Sequence, residues 1–294
     1  MKVLVAGWFS FEEMGATAGD LMSRDLACEW IERSGLAYDV AHAHPFTGGV
    51  NWQSVDPENY SHVVFVCGPF GNGPPVVEFL DRFAGRKMIG LNLSMLQDLN
   101  EWNPFDLLLE RDSSARAHPD MAFLSRQPRV PIVGVVLIHP QPEYGKRDVQ
   151  VQANAAIQRL VARRELSAVS IDTRLDINST GLRTAAEIES LIARMDVVLT
   201  TRLHGTVLAL KNGVPVVAVD PVAGGAKICR QAATIGWPIV LDGESATDEQ
   251  LEGAFDFCLT AEARDQARQC AAQATTEIEK VRDEFVAYMM RYSS

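Results

Sequence analysis

Short apolar runs alternate with amphipathic stretches along the whole chain. In the first half, residues 2–6, 37–41, 62–67, 87–91 and 106–110 read as strands. Their nearly continuous apolar character predicts burial on both faces, as in a parallel sheet. Helical spacing falls over residues 17–33, where Leu21, Leu26, Trp30 and Ile31 recur, and over 75–83. Residues 43–60 carry Pro, Gly and Asn and predict irregular chain.

The same alternation resumes in the second half. Strands are predicted at 132–138, 168–171, 197–199, 215–219 and 239–241, with helices at 149–164, 184–194 and 206–211. Thr184 followed by Glu187 has the spacing of a capping box. A long helix is predicted over 261–288. Its apolar stripe, Ile278, Val281, Phe285 and Tyr288, is expected to pack on the core. Strand and helix in alternation specify an α/β protein. Pro128-Arg129-Val130-Pro131 reads as a connection between two such series, dividing the chain into domains 1–128 and 129–294.

Composition narrows the function classes. Apolar content of 47% and charged content of 22% are those of a soluble globular protein. A net charge of −11 argues against nucleic acid or an anionic membrane surface as the main partner. It leaves room for a local cationic pocket. Cys28, Cys67, Cys229, Cys258 and Cys270 are scattered, with no metal-ligand or redox spacing. Buried free thiols and a cytoplasmic location are expected. The N-terminus reads as a first strand rather than a leader, and no apolar run has the length of a membrane span.

Candidate chemistry concentrates at Thr200-Thr201-Arg202-Leu203-His204-Gly205, where a strand passes into a helix. Free N–H groups and a positive helix end make such junctions anion sites. Arg202 brings a fixed charge and a planar fork, and His204 a group that titrates near neutrality. A capping Arg and a structural His are the plainer reading of the same pair. His139, Lys146 and Arg147 follow the strand ending near 138, and Lys227 follows Gly224-Gly225. These loops are expected to crowd the same side, although each cation singly also suits a solvated surface. Gly7, Gly15, Gly19 and Asp20 form a loop after the first strand that is neither a dinucleotide nor a Walker loop. Asp20 is either a ligand group or an acidic helix cap. Arg111-Asp112-Ser113-Ser114 fits a loop-fixing ion pair or a cap. No metal cage is expected.

The block 195–205 (Met-Asp-Val-Val-Leu-Thr-Thr-Arg-Leu-His-Gly), with Gly213-Val214-Pro215-Val216-Val217-Ala218-Val219-Asp220 after it, resembles the signature of the polysaccharide pyruvyl transferase family. Gly19-Asp20, the Arg111–Ser114 segment and Pro119-Asp120 resemble that family's other motifs in chain order. The resemblance implies two Rossmann-like domains in a glycosyltransferase-B-like arrangement with a long C-terminal helix. Residues 1–128 would face the acceptor, and 129–294 would hold the donor. It implies transfer of pyruvate from phosphoenolpyruvate to a sugar or glycan-lipid acceptor as a ketal, with no further cofactor. Arg202, Leu203 and His204 match the family's phosphoenolpyruvate-contacting tripeptide. His204 is the expected catalytic group, as acid, as base or as a phosphate ligand. Gly205, His139, Arg147, Lys227 and Asp20 are expected to line the substrate sites. Arg147 and Arg174 are candidates for a second donor arginine. A glycosyltransferase using a nucleotide-sugar, or a non-catalytic saccharide- or anion-binding protein, fits the same architecture.

Overall fold

The structure, a computed structural model, describes residues 2–140, 145 and 147–291. Lys146 lies outside the described residues. The chain divides into two compact units, Met1–Pro128 and Arg129–Ser294.

In the first unit the strands are β1 (Lys2–Ala6), β2 (Tyr38–Val40), β3 (Tyr60–Phe70), β4 (Lys87–Met95) and β5 (Leu107–Leu109). They form one parallel sheet in the order β2-β1-β3-β4-β5. Helices α1 (Ala18–Arg33) and α2 (Val76–Arg82) accompany it. The central strands are longer than their apolar runs predict, because Gly68, Pro69 and Phe70 continue to pair with Leu93, Ser94 and Met95. Residues 41–59 are largely irregular, with a 3-10 turn at Pro57–Asn59. Val3, Leu4, Val5, Val63, Phe65 and Val66 are almost wholly buried, so both faces of the sheet are covered.

The second unit contains β6 (Ile132–Val136), α3 (Gln150–Arg163), β7 (Ser167–Ser170), α4 (Ala185–Ile192), β8 (Val197–Thr200), α5 (Leu203–Lys211), β9 (Val216–Asp220), α6 (Lys227–Ile235), β10 (Val240–Asp242), α7 (Asp248–Cys258) and α8 (Ala261–Met290). Its parallel sheet runs β10-β9-β8-β6-β7. Counted within each unit, both sheets therefore have the strand order 2-1-3-4-5. In that order the direction in which successive strands are added reverses between local strands 1 and 3, and in such sheets ligands bind outside the carboxyl ends of those two strands. The switch points are β1/β3 in the first unit and β6/β8 in the second.

Thr184 and Glu187 do form a capping box on α4. Further details differ from the pattern-based expectation, among them helix α6, which the spacing did not predict. Helix α7 was not anticipated, although Leu251, Ala254, Phe255 and Cys258 have helical spacing and Thr247 and Gln250 form a capping box. Helix α5 begins at Leu203 rather than near Thr206, so Arg202 is its N-cap residue and His204 lies within its first turn. The stripe Ile278, Val281, Phe285 and Tyr288 does not pack on the core: all four side chains are exposed. Only the first half of α8 is anchored, through buried Ala263, Ala267 and Cys270.

Two threonines lock the carboxyl ends of β6 and β8 together. The Thr200 hydroxyl donates to the Val136 carbonyl at 2.9 Å and accepts the Arg202 N–H at 2.9 Å. The Thr201 hydroxyl accepts the Ile138 N–H at 2.8 Å and donates to Asn154 Oδ1 at 2.7 Å. Helix α5 then starts within two residues of the strand, which brings it hard against β8. At Gly205 an added Cβ would lie 2.2 Å from Thr200 Oγ1 and 3.0 Å from Val136 Cγ1.

Gly205→Ala provides a test of that closeness. Helix propensity alone favours alanine by about 1 kcal/mol. The clash reverses the sign, and a loss of about 1–3 kcal/mol is expected, as for other overpacked sites. Urea unfolding reads it; an unchanged or raised midpoint would mean that the junction is slack.

Candidate functional site

Outside the β6/β8 switch point lies a cavity of about 210 Å³. Arg202, Leu203, His204 and Lys227 line it, together with Ile138, Asp220 and neighbours of the 221–228 loop. Four of the sequence-predicted site residues thus meet in one place. Gly205 is buried behind them as a packing residue of α5. His139 ends the β6 loop beside the cavity without lining it. Arg147 is exposed; its carbonyl accepts the Ala223 N–H at 2.9 Å, which ties its loop to the cavity rim. Arg174, the other candidate second arginine, is paired with Asp176 and is not part of the lining.

The organising group is Asp172, which the sequence reading did not single out. It follows β7 and is only 4% exposed. Its carboxylate accepts from His139 Nε2 at 3.0 Å and from Arg202 Nη1 at 3.3 Å. It also accepts from the backbone N–H groups of Arg174 and Ser179 and from the Ser179 hydroxyl. Burial alone would raise its pKa. The backbone donors of Arg174 and Ser179, with His139, outweigh burial and hold the carboxyl below its usual range. Asp172 is therefore an anion that keeps Arg202 and His139 on one side of the sheet.

Arg202 itself is 18% exposed along its side chain. Burial lowers its pKa, which the Asp172 charge partly offsets, yet a guanidinium stays protonated. Asp172 engages only Nη1, and among the described residues no other side chain hydrogen-bonds to Nε or Nη2. His204 is exposed, and no described side chain holds its ring by a hydrogen bond.

Two helix N-termini border the cavity, and they differ. The start of α6 is partly satisfied by an acid: Asp220 Oδ2 accepts the N–H groups of Ala226 at 2.7 Å and Cys229 at 3.1 Å. The start of α5 carries no side-chain cap. The first N–H groups of a helix have no partner within it. An anion entering the cavity therefore finds donors and positive dipole at α5, next to the Arg202 fork and Lys227.

The first unit has a cleft of its own at its β1/β3 switch point. Its volume is about 480 Å³, and Trp8, Asp20, Cys67, Arg111 and Asp120 are in its walls. Asp20 belongs to this cleft and not to the cavity of the second unit. It closes a capping box with Thr17 at the start of α1, so the acidic-cap reading holds for it. Arg111 is held by Asp120 at 2.8 Å, Asp112 at 3.3 Å and the Ser94 hydroxyl, the loop-fixing role expected of it. Cys67 and Asn92, side by side in the carboxyl-terminal halves of β3 and β4, both have left-handed backbone, with φ of 64° and 58°. Non-glycine residues held there cost of order 1–3 kcal/mol and cluster at functional sites. The Asn92 side chain is fully used: it donates towards Ser23 and Cys67 and accepts the Met121 N–H.

Among the described residues, no group of three or more His, Cys, Asp or Glu side chains is placed to hold a metal ion. Among the described residues, no helix is long and apolar enough to cross a membrane.

No curated protein matches the chain. Among solved structures, it is similar to a spinosyn rhamnosyltransferase complexed with thymidine diphosphate, at 14% identity over 94% of this chain and 96% of that one, with a TM-score of 0.36. An α,α-trehalose-phosphate synthase (UDP-forming) from Burkholderia vietnamiensis aligns at 12% identity over 92% and 71%, with a TM-score of 0.37. A UDP-GlcNAc 2-epimerase from Methanocaldococcus jannaschii aligns at 10% over 96% and 100%, with a TM-score of 0.34. The family model of the polysaccharide pyruvyl transferases matches residues 106–221, the stretch from β5 through Asp172 and the Arg-Leu-His-Gly junction to Pro221.

Proposed function

We propose that the protein transfers pyruvate from phosphoenolpyruvate to two hydroxyls of a sugar in a polysaccharide or glycoconjugate precursor, forming a ketal. The observation that carries this reading is the junction of Arg202, the uncapped α5 N-terminus and Lys227 in one small cavity. Phosphoenolpyruvate presents two anionic groups, a phosphate and a carboxylate. The Arg202 fork with the α5 N–H groups suits one, and Lys227 suits the other. Size supports a small donor: the cavity is below the roughly 300–1,000 Å³ of sites that enclose drug-sized ligands. A nucleotide-sugar needs that larger volume. The free cysteines fit a cytoplasmic reaction.

In this scheme the methylene carbon of the donor takes a proton, and one sugar oxygen bonds to the adjacent carbon. The bond from that carbon to the phosphate oxygen breaks, releasing inorganic phosphate. The second sugar oxygen then bonds to the same carbon. Of the two hydroxyl protons lost, one balances the proton gained by the methylene and the other leaves with phosphate or solvent. His204, exposed in the cavity, is assigned the proton transfer. Arg202 and the α5 N–H groups stabilise charge on the departing phosphate. The cleft of the first unit, with the Trp8 ring and the carboxylates of Asp20 and Asp120, is assigned to the hydroxyl-rich acceptor.

Ligand-induced stabilisation tests the donor. Phosphoenolpyruvate at about 100 times its Kd should stabilise the protein by about 2.7 kcal/mol. Stabilisation by a nucleotide-sugar, with none by phosphoenolpyruvate, overturns the assignment in favour of a glycosyltransferase. The two site residues should separate kinetically. Charge-assisted hydrogen bonds contribute roughly 1.5–3 kcal/mol each, so Arg202→Ala should weaken phosphoenolpyruvate binding by about 10- to 150-fold. His204→Ala should lower phosphate release with acceptor by about 10²–10⁴ while leaving donor affinity nearly intact. Equal turnover in the wild type and both variants would remove these roles.

Asp172→Asn addresses positioning. The amide keeps the shape but loses the charge that orients Arg202 and His139. Donor KM should rise while circular dichroism stays native, and the loss should be smaller than for Arg202→Ala. A KM equal to wild type shows that Arg202 needs no tether.

A further inference from the structure

The proposed reaction moves protons at two places, the donor methylene and the attacking sugar hydroxyl. One needs an acid and the other a base, and the second unit holds a second imidazole built for the latter task. His139 stands just past β6, with 36% of its side chain exposed. Its Nε2 donates to Asp172 Oδ2 at 3.0 Å. Asp172 is 4% exposed and also accepts from the backbone N–H groups of Arg174 and Ser179. An ionised carboxylate only accepts, so the shared proton sits on Nε2 and the neutral ring presents the lone pair of Nδ1. Among the described residues, Nδ1 makes no hydrogen bond. A buried carboxylate behind an imidazole orients a general base and stabilises the imidazolium that forms when the ring takes a proton.

Two placements fit this pair to the reaction. Through its other oxygen the same carboxylate holds Arg202 Nη1 at 3.3 Å. The ring and the guanidinium are therefore no further apart than two hydrogen bonds and the width of one carboxylate. Ile138 lines the donor cavity, whereas the next residue, His139, does not. A base for an incoming hydroxyl belongs at the rim of the donor site, where the second substrate meets the first.

We propose that His139, oriented by Asp172, is the general base for the attacking hydroxyl, and that His204 is the acid for the donor methylene. This role rests on the proposed pyruvyl transfer. The first sugar hydroxyl gives its proton to His139 Nδ1 as its oxygen bonds to the carbon bearing the phosphate oxygen. The π pair of the donor takes the His204 proton at the methylene, which becomes a methyl group. The bond from the central carbon to the phosphate oxygen then breaks, with its electron pair leaving on phosphate. The second hydroxyl oxygen bonds to the same carbon and loses its proton to phosphate or solvent. His139 ends protonated and His204 deprotonated, and exchange with solvent resets both rings. The charge of Arg202 opposes a second cation beside it, and the Asp172 carboxylate offsets both.

His139→Gln tests the role, because the glutamine amide can keep the hydrogen bond to Asp172 while the proton acceptor is lost. With phosphoenolpyruvate as donor and the methyl glycosides of galactose, glucose and mannose as acceptors, kcat for phosphate release should fall by about 10²–10⁴. Phosphoenolpyruvate should raise the melting temperature of this variant as it does that of the wild type. In His139→Ala, added imidazoles should restore phosphate release, and the restored rate should rise with the basicity of the imidazole used. A His139→Gln protein that turns over like the wild type overturns the proposal and leaves His139 a pin for Asp172. A wild-type kcat with a weaker response to phosphoenolpyruvate overturns it as well, since His139 is then a donor ligand. Rescue that is independent of base strength has the same consequence. Failure of phosphoenolpyruvate to stabilise the wild type removes the donor reading itself, which separates that result from a failure of the base alone.

Discussion

A buried carboxylate with five donors holds the second unit's site together. Asp172 reaches Arg202 from β8, His139 from β6, and the backbone of its own loop after β7. Three strand ends are thereby tied to one charge. Removing a partner from a buried charge is costly because what remains is uncompensated, so the loops cannot drift apart independently. The same bond sets the chemistry open to Arg202. Asp172 occupies one guanidinium nitrogen, and no other described side chain holds the remaining two. An anion arriving there is added to an arranged fork and does not have to gather a mobile one.

The rest of the arrangement depends on how early α5 starts. Thr200 and Thr201 bind the strand ends with their side chains, and Gly205 lets the helix press on Thr200. The first turn of α5 therefore opens into the cavity with Arg202 as its N-cap. At α6 the Asp220 carboxylate accepts the N–H groups of Ala226 and Cys229. That carboxylate disfavours a second negative charge beside it, so the Arg202 side of the cavity suits an anion better than the α6 side.

Arg202 and His204 were legible because their signal is local: an apolar run, two threonines, a cation and a helix-forming stretch. The parallel architecture was legible for the same reason, since each strand and helix declares itself within a few residues. Asp172 was not, because it lies 30 residues from Arg202 and has no motif around it. Only the pairing of β7 with β6, and of β6 with β8, brings the two together. Helix α7 was legible in principle from Leu251, Ala254, Phe255 and Cys258, but its acidic start resembles a solvated loop. The α8 stripe exposes a different boundary of sequence reasoning. Periodicity reports that a helix face is apolar, not which surface covers it.

The two switch points share a strand order but not an electrostatic state, and under the proposed reaction this difference separates their roles. In the first unit Arg111 is bound by Asp120, Asp112 and Ser94, and the Asp120 bond leads the interactions that raise its pKa. Its charge is spent on the fold. In the second unit Arg202 is hydrogen-bonded, among the described acids, to Asp172 alone, and burial lowers its pKa against the charges of Asp172 and Asp176. A partly buried, partly compensated cation gains most from a ligand that brings negative charge. The first cleft instead presents an aromatic ring, carboxylates and a cation already paired, a lining that attracts hydroxyl donors and repels anions. Under the proposed reaction the donor anion and the sugar are therefore sorted by charge before shape is considered.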